Sequence, residues 1–127
     1  MPALTFNPPK KILILDDNFN ILLLYHTLVT EMGHHVRTTT DGHEALKWLG
    51  EEHFDLILTD MRMPVMGGLE FIRRVRAAKL KTKIIAITAF QNLADANQLS
   101  KYDVYACLLK PVLLTKLEEI IRQALAD

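Results

Sequence analysis

The chain has 127 residues, half of them hydrophobic, and its 15 basic residues balance 15 acidic ones. This length fits one domain that buries about two thirds of the surface of its unfolded chain. The balanced charge creates no overall field for nucleic acid or an anionic membrane, so we expect neither as a direct partner. A single cysteine, no signal-peptide pattern and no apolar run approaching about 20 residues predict a soluble, cytoplasmic protein.

The first nine residues end in the pair Pro8-Pro9. Prolines suit extended segments and supply no hydrogen-bond donor to a sheet. We therefore expect residues 1–9 to be a disordered leader and residues 10–127 to form the single folded domain.

From residue 10 onward, short apolar runs alternate with segments whose apolar residues recur at helical spacing. The five predicted strands cover residues 11–15, 36–40, 54–59, 83–88 and 105–109. One amphipathic helix is predicted after each strand. The fourth of these, at residues 92–101, is rich in alanine with weak apolar anchors, so we expect it to be the least firmly packed.

The residues between these elements agree with the predicted helix ends. Gly33 is expected to end the first helix in a left-handed turn, and Asp41 to cap the second. The pair Gly67-Gly68 marks the loop before the third helix.

This alternation predicts a doubly wound α/β domain, in which a five-stranded parallel sheet carries helices on both faces. The first, third and fourth strands are apolar on both faces and belong in the centre, whereas the second is half polar and belongs at an edge. This favours the flavodoxin-like strand order 2-1-3-4-5. Ligands of such sheets bind at the switch point, here between the first and third strands.

Four charged residues directly follow predicted strands. Asp16 and Asp17 follow the first, Asp60 the third and Lys110 the fifth. Parallel strands end at one edge of the sheet, so these charges should meet, and three neighbouring carboxylates need a compensating cation. Oxygen ligands without a nearby His or Cys suit Mg²⁺, which pairs carboxylates with phosphate.

With a metal present, one carboxylate can attack an incoming phosphorus while a cation and a hydroxyl stabilise the equatorial oxygens. Lys110, directly after the fifth strand, and Thr88, at the end of the fourth, provide these groups on the same edge. Any one of the acids alone would be explained equally well as a helix cap or a solvated turn. Their conjunction with Thr88 and Lys110 favours phosphoryl chemistry.

These motifs resemble the receiver domain of two-component response regulators, and the resemblance covers nearly all of residues 10–125. It implies that Asp60, within Asp60-Met61-Arg62-Met63-Pro64, is the phospho-acceptor. It also implies that Thr88 is the switch hydroxyl and that Lys110, within Lys110-Pro111, binds the phosphoryl group. A cis peptide bond at Lys110-Pro111 is a further expectation.

The same resemblance implies a Mg²⁺ site. Asp17, Asp60 and the backbone carbonyl of Arg62 would be the protein ligands, with Asp16 as mainly water-mediated support. The resemblance also places Gly67-Gly68 where a left-handed backbone is easy for glycine.

The chain departs from the family pattern near the fifth strand. At the position of Cys107 the family usually has an aromatic residue or His, whose side-chain conformation changes with the position of the threonine. We interpret Cys107 as a small core residue. Tyr105 should point to the same side of the strand. Residues 101–104 lack the usual Gly-Ala, which predicts a reshaped turn. Phe90, two residues after the threonine, is expected to shield the phosphoryl group from water.

The resemblance implies a signalling domain that receives a phosphoryl group from a histidine kinase or phosphotransfer protein. It would promote its own phosphorylation and dephosphorylation, process no metabolite and signal by docking to a protein near the fourth helix, fifth strand and fifth helix. Alternatively, the chain is a receiver cut from a larger kinase or regulator.

Two alternatives remain open. The first is an aspartyl phosphatase of the haloacid dehalogenase type, although Arg62 occupies the place of its general acid. The second is an interaction module that does not need phosphorylation. A cofactor-binding flavodoxin-like protein is disfavoured, because the chain has no glycine-rich phosphate loop.

Overall fold

A computed structural model describes residues 8–89, 94 and 97–126. Strands and helices alternate along these residues. In chain order they are β1 (Lys11–Leu15), α1 (Phe19–Glu31), β2 (His35–Thr39), α2 (Gly42–Glu51), β3 (Leu56–Asp60), α3 (Gly68–Ala77), β4 (Lys83–Thr88), a 3-10 turn (Leu99–Tyr102), β5 (Ala106–Leu109) and α4 (Leu114–Leu125). The predicted bounds of β1 and β4 are confirmed, and those of the other strands differ by one or two residues.

The five strands form one parallel sheet in the order β2-β1-β3-β4-β5. The predicted doubly wound architecture and strand order are therefore confirmed. Residues of β1 alternate between two apolar cores, as the pleat of a strand requires. Ile12 and Ile14 pack with α1 and α4, whereas Leu13 and Leu15 pack with α2 and α3. Burial on both faces is what holds β1 in the centre of the sheet.

The predicted helix ends are confirmed for the first two helices. Gly33 follows α1 with a φ angle of 96°, a left-handed conformation that glycine adopts without strain. The Asp41 carboxylate accepts a hydrogen bond of 2.9 Å from the backbone N–H of His43 and caps α2.

The turn before β5 is built differently from a glycine turn. Asp103 takes a left-handed conformation with a φ angle of 55°. The Arg76 guanidinium donates to the carbonyls of Tyr102, Leu80 and Asp103 at 2.6, 2.8 and 3.0 Å. The Arg76 side chain of α3 thus fixes the position of the segment before β5. This agrees with the prediction that the turn there is reshaped. Much of the predicted fourth helix (92–101) lies outside the described residues, and its described end is the 3-10 turn.

The interpretation of Cys107 as a core residue is wrong. Its side chain is exposed, as are those of Tyr105 and Leu109 on the same side of β5, whereas Leu108 packs against the core of α1 and α4. β5 is an edge strand with only one well-covered face, and Cys107 lies on the other. Partial desolvation by neighbouring atoms still raises the pKa of the thiol, so it stays protonated at neutral pH.

Lys79 offers a test of local stability. It follows α3 in a left-handed conformation, with a φ angle of 64°, where glycine is normally preferred. We expect Lys79→Gly to raise the free energy of unfolding by about 1 kcal/mol, because it removes the steric cost of Cβ at positive φ. Urea denaturation will measure the change. Lys81→Gly, at an exposed position without positive φ, is the control and should not stabilise; an equal gain would contradict the explanation.

Candidate functional site

The three predicted acidic residues meet at the carboxyl edge of the sheet. One carboxylate oxygen from each of Asp16, Asp17 and Asp60 lies within 4.8 Å of the other two. The cause is the sheet order, since β1 and β3 are direct neighbours and Leu15 pairs with Thr59. Asp16 and Asp60 are 1% and 3% exposed, whereas Asp17 is exposed. The cluster is therefore buried on the sheet side and open at Asp17.

Lys110 is brought to the same cluster from β5. Its Nζ lies 2.9 Å from Asp60 Oδ1 and 4.0 Å from Asp16 Oδ2. Its backbone N–H donates to the Thr88 carbonyl at 2.8 Å, and the Lys110-Pro111 peptide bond is cis, as expected. Three carboxylates thus face one ammonium group, which leaves the site with an excess of negative charge.

Thr88 and Arg62 are expected to contribute a hydroxyl and a backbone carbonyl to the site. The buried Thr88 hydroxyl donates to the neighbouring Ala89 carbonyl at 3.2 Å. Arg62 follows β3 with an exposed side chain. The roles of the Thr88 hydroxyl and the Arg62 carbonyl stay predictions. The predicted shield, Phe90, lies outside the described residues.

Gly68 allows the loop after Asp60 to lie close to β3. A Cβ atom at Gly68 would lie 2.5 Å from the Asp60 carbonyl oxygen and 2.7 Å from Met61 Cα. The Gly68 N–H donates to the Met61 carbonyl at 3.0 Å. The expectation of a left-handed backbone at Gly67-Gly68 is wrong: among described residues the loop's positive φ angle, 69°, falls on Val65. Space rather than φ explains why residue 68 is glycine.

The Asp16 carboxyl group has an unusual proton affinity. Burial raises its pKa from 3.8 to about 6, and the charge on Asp60 adds to the effect. The Asn18 N–H, which donates to Asp16 Oδ1 at 2.9 Å, and the Lys110 ammonium act in the opposite direction. Desolvation wins, because one hydrogen bond and one shared cation do not replace the water lost by a buried carboxylate.

The raised pKa predicts how stability depends on pH without divalent metal. Between pH 3.8 and about 6 the folded Asp16 binds more protons than the unfolded one, so raising the pH through this range destabilises the fold by up to about 3 kcal/mol. Urea denaturation in EDTA across this range will measure the slope. Asp16→Asn should reduce the loss, whereas Asp41→Asn, at an exposed helix cap, should not; equal slopes in all three proteins would contradict the assignment.

The donor set fits a hard divalent cation. It consists of carboxylate oxygens close enough to share one ion, with an excess of negative charge and one buried member that is costly to ionise. Such ligands suit Mg²⁺ and offer none of the nitrogen or sulfur donors typical of zinc.

Sequence reasoning missed two residues next to this site. Asn18 caps α1, accepting from the backbone N–H groups of Asn20 and Ile21, while its own N–H holds Asp16. An Asn directly before an apolar helical pattern was the available signal. Tyr25 on α1 is 5% exposed. Its pKa is raised to about 12 by burial and then by the charges of Asp16 and Asp60. Tyr25 stands among apolar residues of the first helix in the sequence, so nothing there indicated that it lies close to the acidic cluster.

A parallel sheet of this order, with three carboxylates and a lysine at its switch point, has the fold and the charged residues expected of a two-component receiver domain. Residues 12–122 match the family described as the response regulator receiver domain. The chain belongs to this family of two-component signalling domains. No helix in the described part of the chain is long and apolar enough to cross a membrane.

Relatives and solved structures agree with this assignment. The chain is 35% identical over 116 residues to the response regulator protein PilR of Pseudomonas aeruginosa, covering 91% of this chain and 26% of PilR. It is 32% identical over 124 residues to the sensor histidine kinase RcsC of Escherichia coli, covering 97% of this chain and 12% of RcsC. The chain therefore spans about a quarter or less of these relatives.

Among solved structures, the chain is similar to the chemotaxis response regulator CheY4 of Vibrio cholerae. The TM-score is 0.84 at 28% identity, and the alignment covers 92% of this chain and 99% of that one. The shared fold thus extends over nearly the whole of a receiver domain.

Proposed function

We propose that this domain accepts a phosphoryl group on Asp60 from a phosphohistidine of a partner protein. The observation that carries the proposal is the 2.9 Å contact between Lys110 Nζ and Asp60 Oδ1 inside a cluster of three carboxylates. A nucleophile already beside a cation has its charge stabilised as the phosphorus approaches.

In the proposed reaction an Asp60 carboxylate oxygen forms a bond to phosphorus. The bond from phosphorus to the imidazole nitrogen breaks, and that nitrogen keeps the electron pair. Lys110 stabilises the equatorial oxygens of the transferring group. Bound Mg²⁺, held by Asp17, Asp60 and the Arg62 carbonyl with support from Asp16, would supply further charge neutralisation. Hydrolysis of the acyl phosphate by water would return Asp60 to its starting state.

Asp60 pairs with Ile87, the residue before Thr88. Phosphorylation at Asp60 would therefore add negative charge close to Thr88. Rotation of the Thr88 hydroxyl from the Ala89 carbonyl toward the phosphoryl group would link the site to the end of β4. Thr88 also pairs with Leu109 of β5. We propose that the pairing of β4 with β5 transmits this conformational change to β5, although residue 107 is Cys rather than the family's usual aromatic residue.

The proposed output is docking of a protein on the face that includes β5 and α4. Tyr105, just before β5, and Cys107 and Leu109 within it form an exposed row. A partner that covers this row would bury apolar area that is now in contact with water. The phosphodonor would be a histidine kinase or phosphotransfer protein, and the setting cytoplasmic.

Dependence on divalent metal is the direct test. We expect incubation with a small phosphodonor such as phosphoramidate and Mg²⁺ to add one phosphoryl group, and EDTA to reduce the rate at least about 100-fold, because the carboxylates then repel the incoming phosphate. Intact-mass measurement will follow the reaction.

Ca²⁺ in place of Mg²⁺ is a useful control, since it neutralises the acids but tolerates looser geometry and should support slower transfer. No phosphoryl gain with any donor or kinase would refute the proposed function. Sustained release of phosphate from small phosphomonoesters would instead support the phosphatase alternative.

A further inference from the structure

A cavity of about 510 Å³ lies beside the acidic cluster, between α1 and the segment that joins β5 to α4. Five of its lining residues are apolar: Ile21, Leu24, Ala89, Pro111 and Val112. The other two, Tyr25 and Lys110, are polar. This volume lies within the usual range of about 300 to 1,000 Å³ for small-molecule sites, which likewise combine apolar walls with a few converging polar groups.

Within the described residues the Tyr25 hydroxyl has no hydrogen-bond partner, although Tyr25 as a residue is only 5% exposed. A buried hydroxyl without a partner costs free energy comparable to that of a lost hydrogen bond. Tyr25 lines the cavity, so a group bound there can provide an acceptor for the hydroxyl. The hydroxyl is protonated at neutral pH, because burial and the nearby carboxylates raise its pKa to about 12. It therefore has a proton to donate.

The charges around the cavity restrict the ligand further. The ammonium of Lys110 only donates hydrogen bonds, and the Tyr25 hydroxyl can donate as well as accept, so an acceptor on the ligand suits both groups. A carboxylate would be repelled, because Lys110 already contacts Asp60 and lies beside a cluster of three carboxylates. An ammonium head has no lone pair to accept a hydrogen bond from Lys110, which lines the cavity, already contacts Asp60 and would repel a second cation. A neutral carbonyl on an apolar body satisfies both the donors and the local charge.

We propose that this cavity binds a small neutral carbonyl compound with an apolar body, whose oxygen accepts a hydrogen bond from Tyr25. Because Lys110 lines the cavity and also contacts Asp60, an occupied cavity would alter phosphoryl uptake. That regulatory consequence rests on the proposed function, whereas binding itself requires no phosphoryl transfer.

Three probes with the same phenylpropyl body and different heads will test the proposal. Backbone amide NMR spectra of the unphosphorylated protein in EDTA will be titrated with 3-phenylpropanamide, 3-phenylpropionate and 3-phenylpropylamine. We expect the amide to give saturable shifts at Tyr25, Ala89 and Val112. The carboxylate and the amine should bind at least about tenfold more weakly, the cost of one unsatisfied or repelled polar group.

Two pairs of proteins complete the test. Tyr25→Phe removes only the hydroxyl and should weaken amide binding about tenfold relative to wild type. Leu24→Glu places a charge at the cavity, and Leu23→Glu places the same charge on an exposed part of α1 outside the lining. Only the Leu24 variant should lose binding.

The proposal is overturned if the three heads bind equally or if Tyr25→Phe binds the amide as wild type does. It is also overturned if none of the probes gives saturable shifts, as expected when a partner protein's side chain is the true occupant. These outcomes are independent of whether Asp60 accepts phosphate, since no step of the titration involves transfer.

Discussion

Asp60→Asn will lower the rate of phosphoryl uptake at least about 10⁴-fold, as expected for loss of an essential nucleophile. The amide of Asn has nearly the same shape as the carboxylate but a far weaker nucleophilic oxygen. Asp60 is buried at the end of β3, and its contact with Lys110 brings nucleophile and cation together. Intact-mass measurement with phosphoramidate and Mg²⁺ will compare the variant with wild type.

Asp41→Asn is the matched control. It makes the same chemical change at the cap of α2, where Asn and Asp serve almost equally well. We expect this variant to be phosphorylated at the wild-type rate. Circular dichroism of both variants will establish that they are folded. Uptake by folded Asp60→Asn at the wild-type rate, with the group mapped to another residue, would assign the acceptor elsewhere.

Gly68→Ala will destabilise the domain by about 3 kcal/mol and slow phosphorylation. The added Cβ would lie 2.5 Å from the Asp60 carbonyl oxygen and 2.7 Å from Met61 Cα, and both of these atoms belong to the backbone. Such overpacking costs about 1 to 3 kcal/mol, and the upper end applies because backbone yields less easily than a flexible side chain. Urea denaturation and the phosphorylation rate will measure the two effects.

Gly50→Ala separates this effect from the general consequence of replacing a glycine. Gly50 lies in α2, and a Cβ there meets no atom within 4 Å. We expect this variant to be more stable than wild type by about 0.5 to 1 kcal/mol, because alanine favours the helix. If the two variants had similar stability, close approach at Gly68 would not be the reason for its glycine.

The sequence predicted the fold well because its signals were local and repeated. Apolar runs on both faces of β1, β3 and β4 are typical of central strands, and the polar β2 is typical of an edge. Helix ends at Gly33 and Asp41 followed from backbone chemistry that depends on one or two residues. Given the strand order, the three aspartates must lie close together, because neighbouring parallel strands end at the same edge of the sheet.

Errors arose where the outcome depended on neighbours distant in sequence. Cys107 was expected in the core because of its residue type, but the side of an edge strand that a helix covers is a tertiary property. The pair Gly67-Gly68 predicted a turn, whereas the tight approach of residue 68 to β3 depends on how α3 packs.

The sequence by itself determined the class of the domain and the four charged residues at one sheet edge. The order of residue types along the chain was sufficient, because parallel strands end together. Only the tertiary structure decided the proton affinity of Asp16, the surroundings of Tyr25 and the exposure of β5. These properties depend on how much water and charge surround each group, and the folded chain sets both.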